Sequence, residues 1–168
     1  KLMSVKHCVI TSVDRDDLKD GGSILWAETV KAVRETSPET TLETLIPDFK
    51  GEKENIQRII DAAPEVVSHN IETVERLSRQ VRIQARYRRS MEVLRTLKEG
   101  GMRTKSGIML GLGETREEVI QTLEDLRNSN VDVVTIGQYL QPTKKHLPVH
   151  RFVHPNEFAE YRKIGYEL

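Results

Sequence analysis

Five times along this chain a short, β-branched apolar run gives way to a longer segment with apolar residues at helical spacing. The runs are HCVITSV (7–13), TLETLIP (41–47), EVVSHN (65–70), RTKSGIML (103–110) and DVVTIGQ (132–138). The helical segments are SILWAETVKAVRETS (23–37), KENIQRIIDAA (53–63), IETVERLSR (71–79), YRRSMEVLRTLKEG (87–100), TREEVIQTLEDLRNSN (115–130) and PNEFAEYRKIGYEL (155–168). Such alternation predicts a parallel sheet with helical crossovers, because parallel neighbours need a long connection. Short strands that are largely apolar fit a sheet covered on both faces. Boundary signals agree. Thr115 with Glu118 three residues on makes a capping box, Pro155 opens the last helix, and Gly100–Gly101 stop the fourth. The pattern leaves two closures open, a doubly wound sheet or a (β/α) barrel. Five units fall short of an eight-strand barrel of roughly 250 residues, so the 168 residues are expected to form one domain of a larger barrel-like protein.

In either closure the ligand site lies beyond the carboxyl ends of the strands. Those ends are polar. The first runs into TSVDRDDLKDGG (11–22), with Thr11, Ser12, Asp14 and Arg15; the second into Asp48; the third into His69, Asn70 and Glu72. The fourth gives GLGE (111–114), and the fifth gives Gln138 and Tyr139. GLGE resembles a phosphate loop only loosely, since it lacks a third glycine and a lysine. His146, His150 and His154 recur at intervals of four, but Pro148 and Pro155 break any helix that would align them.

Charge balances at 26 basic against 26 acidic residues, which favours neither a nucleic-acid nor a membrane partner. Locally it does not balance. Between Arg76 and Lys105 ten basic residues face two acids, either a solvated helix face or a surface for an acidic partner. Cys8 is the single cysteine, so these residues cannot make an internal disulfide or a cysteine-ligated cluster. The expected setting is reducing: cytoplasmic, or mitochondrial in a eukaryote.

The blocks VITSVDRDDLKDGG, SHNIETVERL, YRRSMEVLRTLKE, TKSGIMLGLGET and VDVVTIGQYLQPTKKHLPVHRFVHPNEFAEYRKIG resemble, in order and spacing, successive blocks of the lipoyl synthase family. That family lies within the radical S-adenosylmethionine superfamily. The resemblance runs from about residue 5 onward. It implies a partial (β/α) TIM-type barrel of the radical SAM kind, with about five of six strand–helix units present. HCVITSV would be the second strand and VDVVTIG the sixth. It further implies S-adenosylmethionine and two 4Fe–4S clusters as cofactors. The reaction would insert two sulfur atoms into an octanoyl chain on a lipoyl carrier domain, such as the 2-oxoacid dehydrogenase E2 or the glycine cleavage H protein.

Carried over by position, Thr11, Ser12 and Asp14 would meet the methionyl ammonium. Asn70 and Glu72 would reach the ribose or the methionyl end, and Arg89 or Lys105 would pair with the methionyl carboxylate. Met109 would flank the adenine, while Gln138 and Tyr139 would face the same cavity. The family's cluster ligands, a CxxxCxxC motif and a C-terminal serine among them, are absent from this chain, and Cys8 takes no cluster role. The chain alone is therefore expected to be inactive. Arg86 and Ser68 depart from the family's usual residues. Two other functions compete: a non-catalytic module that docks a carrier domain through the basic stretch, and a barrel enzyme acting on phosphorylated metabolites.

Overall fold

In the computed structural model, which describes residues 4–84 and 86–168, five strands form one parallel sheet. They are β1 (His7–Thr11), β2 (Thr41–Leu45), β3 (Val66–Ser68), β4 (Thr104–Leu110) and β5 (Val133–Gln138). Their order in space is their order in sequence. A doubly wound sheet must reverse its strand order at a switch point, and this one never does. Right-handed crossovers that all step the same way put every helix on one face and leave the other as a lumen. The barrel closure left open by the sequence pattern is thus decided, as an open arc.

Six helices follow the strands: α1 (Ser23–Thr36), α2 (Lys53–Ala62), α3 (Glu75–Val81), α4 (Tyr87–Glu99), α5 (Arg116–Asn128) and α6 (Pro155–Glu167). The Thr115 hydroxyl accepts from the Glu118 N–H, and the Glu118 carboxylate accepts from the Thr115 N–H at 2.8 Å. At α6, Pro155 occupies the first turn and the His154 ring accepts from the Asn156 N–H.

The helix-facing side of the sheet holds the core, in two clusters joined through α4. Val93 and Leu97 pack with Trp26, Phe49, Ile59 and Val67. Leu94 and Met91 pack with Ile71, Ile108, Leu110 and Leu126. Each fully buried Leu or Ile contributes roughly 1.5–3 kcal/mol relative to an exposed one.

One helix starts later than its periodicity suggests. Residues 71–73 form a tight turn about Glu72, with the Thr73 N–H donating to the Ile71 carbonyl at 2.8 Å, and α3 begins at Glu75. Glu72, at a φ of 65°, donates its N–H to the Gly107 carbonyl and accepts from the Met109 N–H. Because β3 pairs with β4 only at residues 67–68, this bridge continues the pairing along the upper half of β4.

GLGE is a turn closed upon itself. Both Glu114 carboxylate oxygens accept backbone donors, from Gly111 at 2.6 Å and Leu112 at 2.9 Å. The Gly111 and Leu112 amides are thus taken by Glu114 and are not offered to a phosphate, which leaves strand-end polarity as the remaining support for a phosphorylated metabolite. Gly111 sits at a φ of 100°, where an L side chain is strained, and a Cβ there would meet the Arg151 carbonyl oxygen at 2.5 Å. Gly111→Ala should therefore destabilise the fold by about 2–3 kcal/mol in denaturant melts; an unchanged midpoint would contradict this account of the turn.

Candidate functional site

TSVDRDDLKDGG is a wound loop whose charges mostly hold the loop itself. Arg15 donates twice to Asp17, Asp16 pairs with Lys50 at 3.2 Å, and Asp20 accepts from the Ile24 N–H at the start of α1. Its first residues face a cavity of ≈ 590 Å³ at the carboxyl ends of β1, β2 and β3. Thr11, Ser12 and Asp14 form one wall, Asn70 and Glu72 another, and Arg82 and Arg89 a third.

The two arginines differ. Arg89 donates to Asp48 at 3.1 Å, and Asp48 also accepts from the Lys50 N–H to cap the short 3₁₀ turn Phe49–Gly51. Arg82, at the end of α3, donates only to the Ser90 hydroxyl, at 2.9 Å. Burial pulls the Arg82 pKa down, while the fields of Glu72, Asp48 and Asp14 push it back and keep the side chain charged. Burial likewise raises the Glu72 carboxyl above the usual range, opposed by Asn70 and Arg82. In the sequence Arg82 stands out only as a member of the basic stretch. No signal short of three-dimensional structure separates it from its neighbours.

Four of the expected site residues lie outside the cavity lining. Lys105 points into the lumen lower down, where Glu43 accepts from it at 2.9 Å and from Ser68 at 2.6 Å. Burial alone would raise the Glu43 carboxyl; these two donors outweigh it and hold the pKa below the ordinary value. Lys105 is thus the counterion of a buried carboxylate, and Ser68 is that carboxylate's second donor. Met109 touches the site only through its N–H, bonded to the Glu72 carbonyl. Gln138 binds the backbone of Arg151 and Val153, and the Tyr139 hydroxyl donates to the Leu147 carbonyl. Both anchor the 140–154 segment, with polar groups spent on backbone, and this corrects their placement in the cavity. Within the basic stretch, Arg76, Arg88, Arg89, Lys98 and Lys105 each pair with an acid from outside it, so its charge is partly neutralised in space.

A model of the Radical SAM superfamily matches residues 1–126. The chain belongs to the radical SAM superfamily. Among curated relatives, several are named lipoyl synthase. A lipoyl synthase of Flavobacterium johnsoniae is 72% identical over the whole chain, which spans 59% of that protein. A mitochondrial lipoyl synthase of Nematostella vectensis is 70% identical, again over the whole chain and 58% of its own length. The chain thus spans less than two thirds of the curated relatives it matches. Among solved structures, methylornithine synthase superposes with a TM-score of 0.73 at 15% identity, over 96% of this chain and 48% of that one, a likeness of fold.

The superfamily implies S-adenosylmethionine and iron–sulfur chemistry. The cavity's chemistry fits the first. An amino acid ammonium finds acceptors at Thr11, Ser12 and Asp14, a carboxylate finds Arg82, and hydroxyls find Asn70 and Glu72. Gly107 leaves room for the Asn70 side chain, whose Oδ1 would lie 2.9 Å from a Cβ there. The residues do not fit a cluster. Among the described residues no group of three His, Cys, Asp or Glu side chains could hold a metal ion. Cys8, the single thiol, alternates with His7 and shares the face of Ile10, which packs on the core, away from the lumen.

Behind the cavity wall His69 is fully buried between the Ile46 carbonyl, at 3.0 Å, and Ser90, at 2.9 Å. Burial, aided by the Arg82 cation, lowers its pKa from 6.5 to about 4. Between those values the unfolded chain binds a proton that the folded one refuses, so stability falls as pH drops from about 6.5 to 4. The slope should approach about 1.4 kcal/mol per pH unit. Urea melts across this window should show that slope in the wild type and a flatter one in His69→Gln; equal slopes would contradict a neutral buried His69.

Proposed function

We propose that this chain forms the S-adenosylmethionine-binding part of a lipoyl synthase, a radical SAM sulfurtransferase. The full protein would insert two sulfur atoms into an octanoyl chain on a lipoyl carrier protein, with two 4Fe–4S clusters held by residues outside this chain. The observation that carries this is one cavity with an acidic wall and a cationic wall at the strand ends, in a chain 70–72% identical to lipoyl synthases. When bound, S-adenosylmethionine supplies the adenosyl group from which the superfamily's carbon radical is made.

The chain's own residues bind and orient. Asp14 and the Thr11–Ser12 edge receive the ammonium end, Asn70 and Glu72 grip the ribose side, and the low-polarity wall of Leu45, Ile46 and Phe49 limits water at one flank. Glu72 is fixed by two backbone bonds to β4, so its carboxylate needs little reorganisation on binding. The carrier would approach the exposed basic residues that remain unneutralised, Arg79, Arg86 and Arg95 among them. We place the enzyme in the cytoplasm of a bacterium or the mitochondrion of a eukaryote. Among the described residues no helix is long and apolar enough to cross a membrane.

Removing one charge-assisted hydrogen bond costs roughly tenfold in affinity or more. Asp14→Asn and Glu72→Gln should each weaken S-adenosylmethionine binding by about that factor in equilibrium binding with the full-length protein. A wild-type protein with no saturable binding would overturn the proposal.

A further inference from the structure

The buried contacts behind the cavity form a directed chain. The Ile46 carbonyl can only accept, so the Nδ1 of His69 carries the ring proton and donates to it. In the neutral ring the Nε2 then offers a lone pair, and the Ser90 hydroxyl must donate to it at 2.9 Å. With its proton so committed, the Ser90 oxygen presents lone pairs outward and accepts from the Arg82 guanidinium. Each group has one role that satisfies its neighbour, and both His69 and Ser90 are essentially inaccessible to solvent.

The chain ties three elements together: the end of β3 at His69, the C-terminal end of α3 at Arg82, and the first turn of α4 at Ser90. It terminates at a cation on the cavity wall. Of the other cations, Arg89 pairs with Asp48, Arg15 with Asp17, Lys50 with Asp16 and Lys105, outside the lining, with Glu43, while Lys19 lies exposed on the 11–22 loop. Arg82 keeps donors that no described residue takes, and it faces the cavity with Glu72, Asp48 and Asp14 in its field. An arginine held on one edge presents the rest of its fork to a planar anion.

We propose that Ser90 and His69 are positioning residues, which hold the Arg82 guanidinium at the cavity wall as the receptor for the carboxylate of the bound S-adenosylmethionine. This rests on the function proposed above, that the cavity takes that ligand. Holding the side chain beforehand removes its ordering from the cost of binding. His69 acts through Ser90, and Ser90 through Arg82; neither needs to touch the ligand.

The test compares two ligands on the full-length protein: S-adenosylmethionine and its decarboxylated analogue, which differ only in the carboxylate. Equilibrium binding is measured for the wild type, Arg82→Gln, Ser90→Ala and His69→Gln. The wild type should prefer the carboxylate ligand. Arg82→Gln should lose roughly tenfold or more in affinity for S-adenosylmethionine. Ser90→Ala should lose about three- to tenfold, and His69→Gln a similar factor. Binding of the analogue should stay within about threefold of wild type in all of them, which also shows the variants to be folded. Equal losses for both ligands, or an unchanged preference in Ser90→Ala, would overturn the positioning role while leaving the proposed function intact. If His69→Gln does not fold, the Ser90→Ala comparison decides. No saturable binding of either ligand by the wild type would overturn both proposals.

Discussion

Everything in this molecule depends on five parallel strands taken in sequence order, each crossover stepping the same way. That order commits the helices to one face and opens the other as a lumen. Apolar side chains therefore belong on one side of each strand, and polar ones are admissible on the other. Leu42 and Val67 are buried against the helices, while Glu43 and Ser68 face inward from neighbouring positions of the same strands. A carboxylate inside the arc must be paired, and Lys105 on β4 pairs it across β3. Val9, on the lumen side of the edge strand β1, is 53% exposed, which marks the open side of the arc.

The same geometry makes the cavity. Polar loops leave β1, β2 and β3 at one end, and the turn at 71–73, bridged to β4, carries Glu72 to their level. The cavity is then assembled from groups whose charges are largely settled before any ligand arrives. Asp48 neutralises Arg89, Asn70 and Arg82 oppose the protonation of Glu72, and a buried neutral histidine stands behind Arg82 without competing with its charge. What remains for a ligand is a cation on one wall and acceptors on the other, a match for a zwitterion.

Much of the fold was legible in the sequence because strands and helices differ in period and in punctuation. The Thr115–Glu118 box and Pro155 mark helix starts through local bonds, so they can be read without the rest of the chain. The late start of α3 could not be read this way, since the turn at Ile71–Thr73 is held by the bridge from Glu72 to β4, more than thirty residues on in sequence. The site was legible in its location and only partly in its members. Thr11, Ser12, Asp14, Asn70 and Glu72 line the cavity because they sit at strand ends, and Arg89 reaches it from the first turn of α4. Which cation is available was invisible, because the acids that occupy Arg89 and Lys105 lie 41 and 62 residues away. Gln138 and Tyr139 follow a strand end too, yet their polar atoms serve the backbone of a returning segment.

The most direct measurement is amide hydrogen exchange on the full-length protein with and without S-adenosylmethionine. A ligand seated in this cavity should slow exchange at the 11–16 loop, at 69–73 and around Arg82, and should leave the Gly111–Leu112 amides, already bonded to Glu114, as they were. Protection confined to the 111–116 turn, or absent from the 11–16 and 69–73 segments, would contradict the placement of the site.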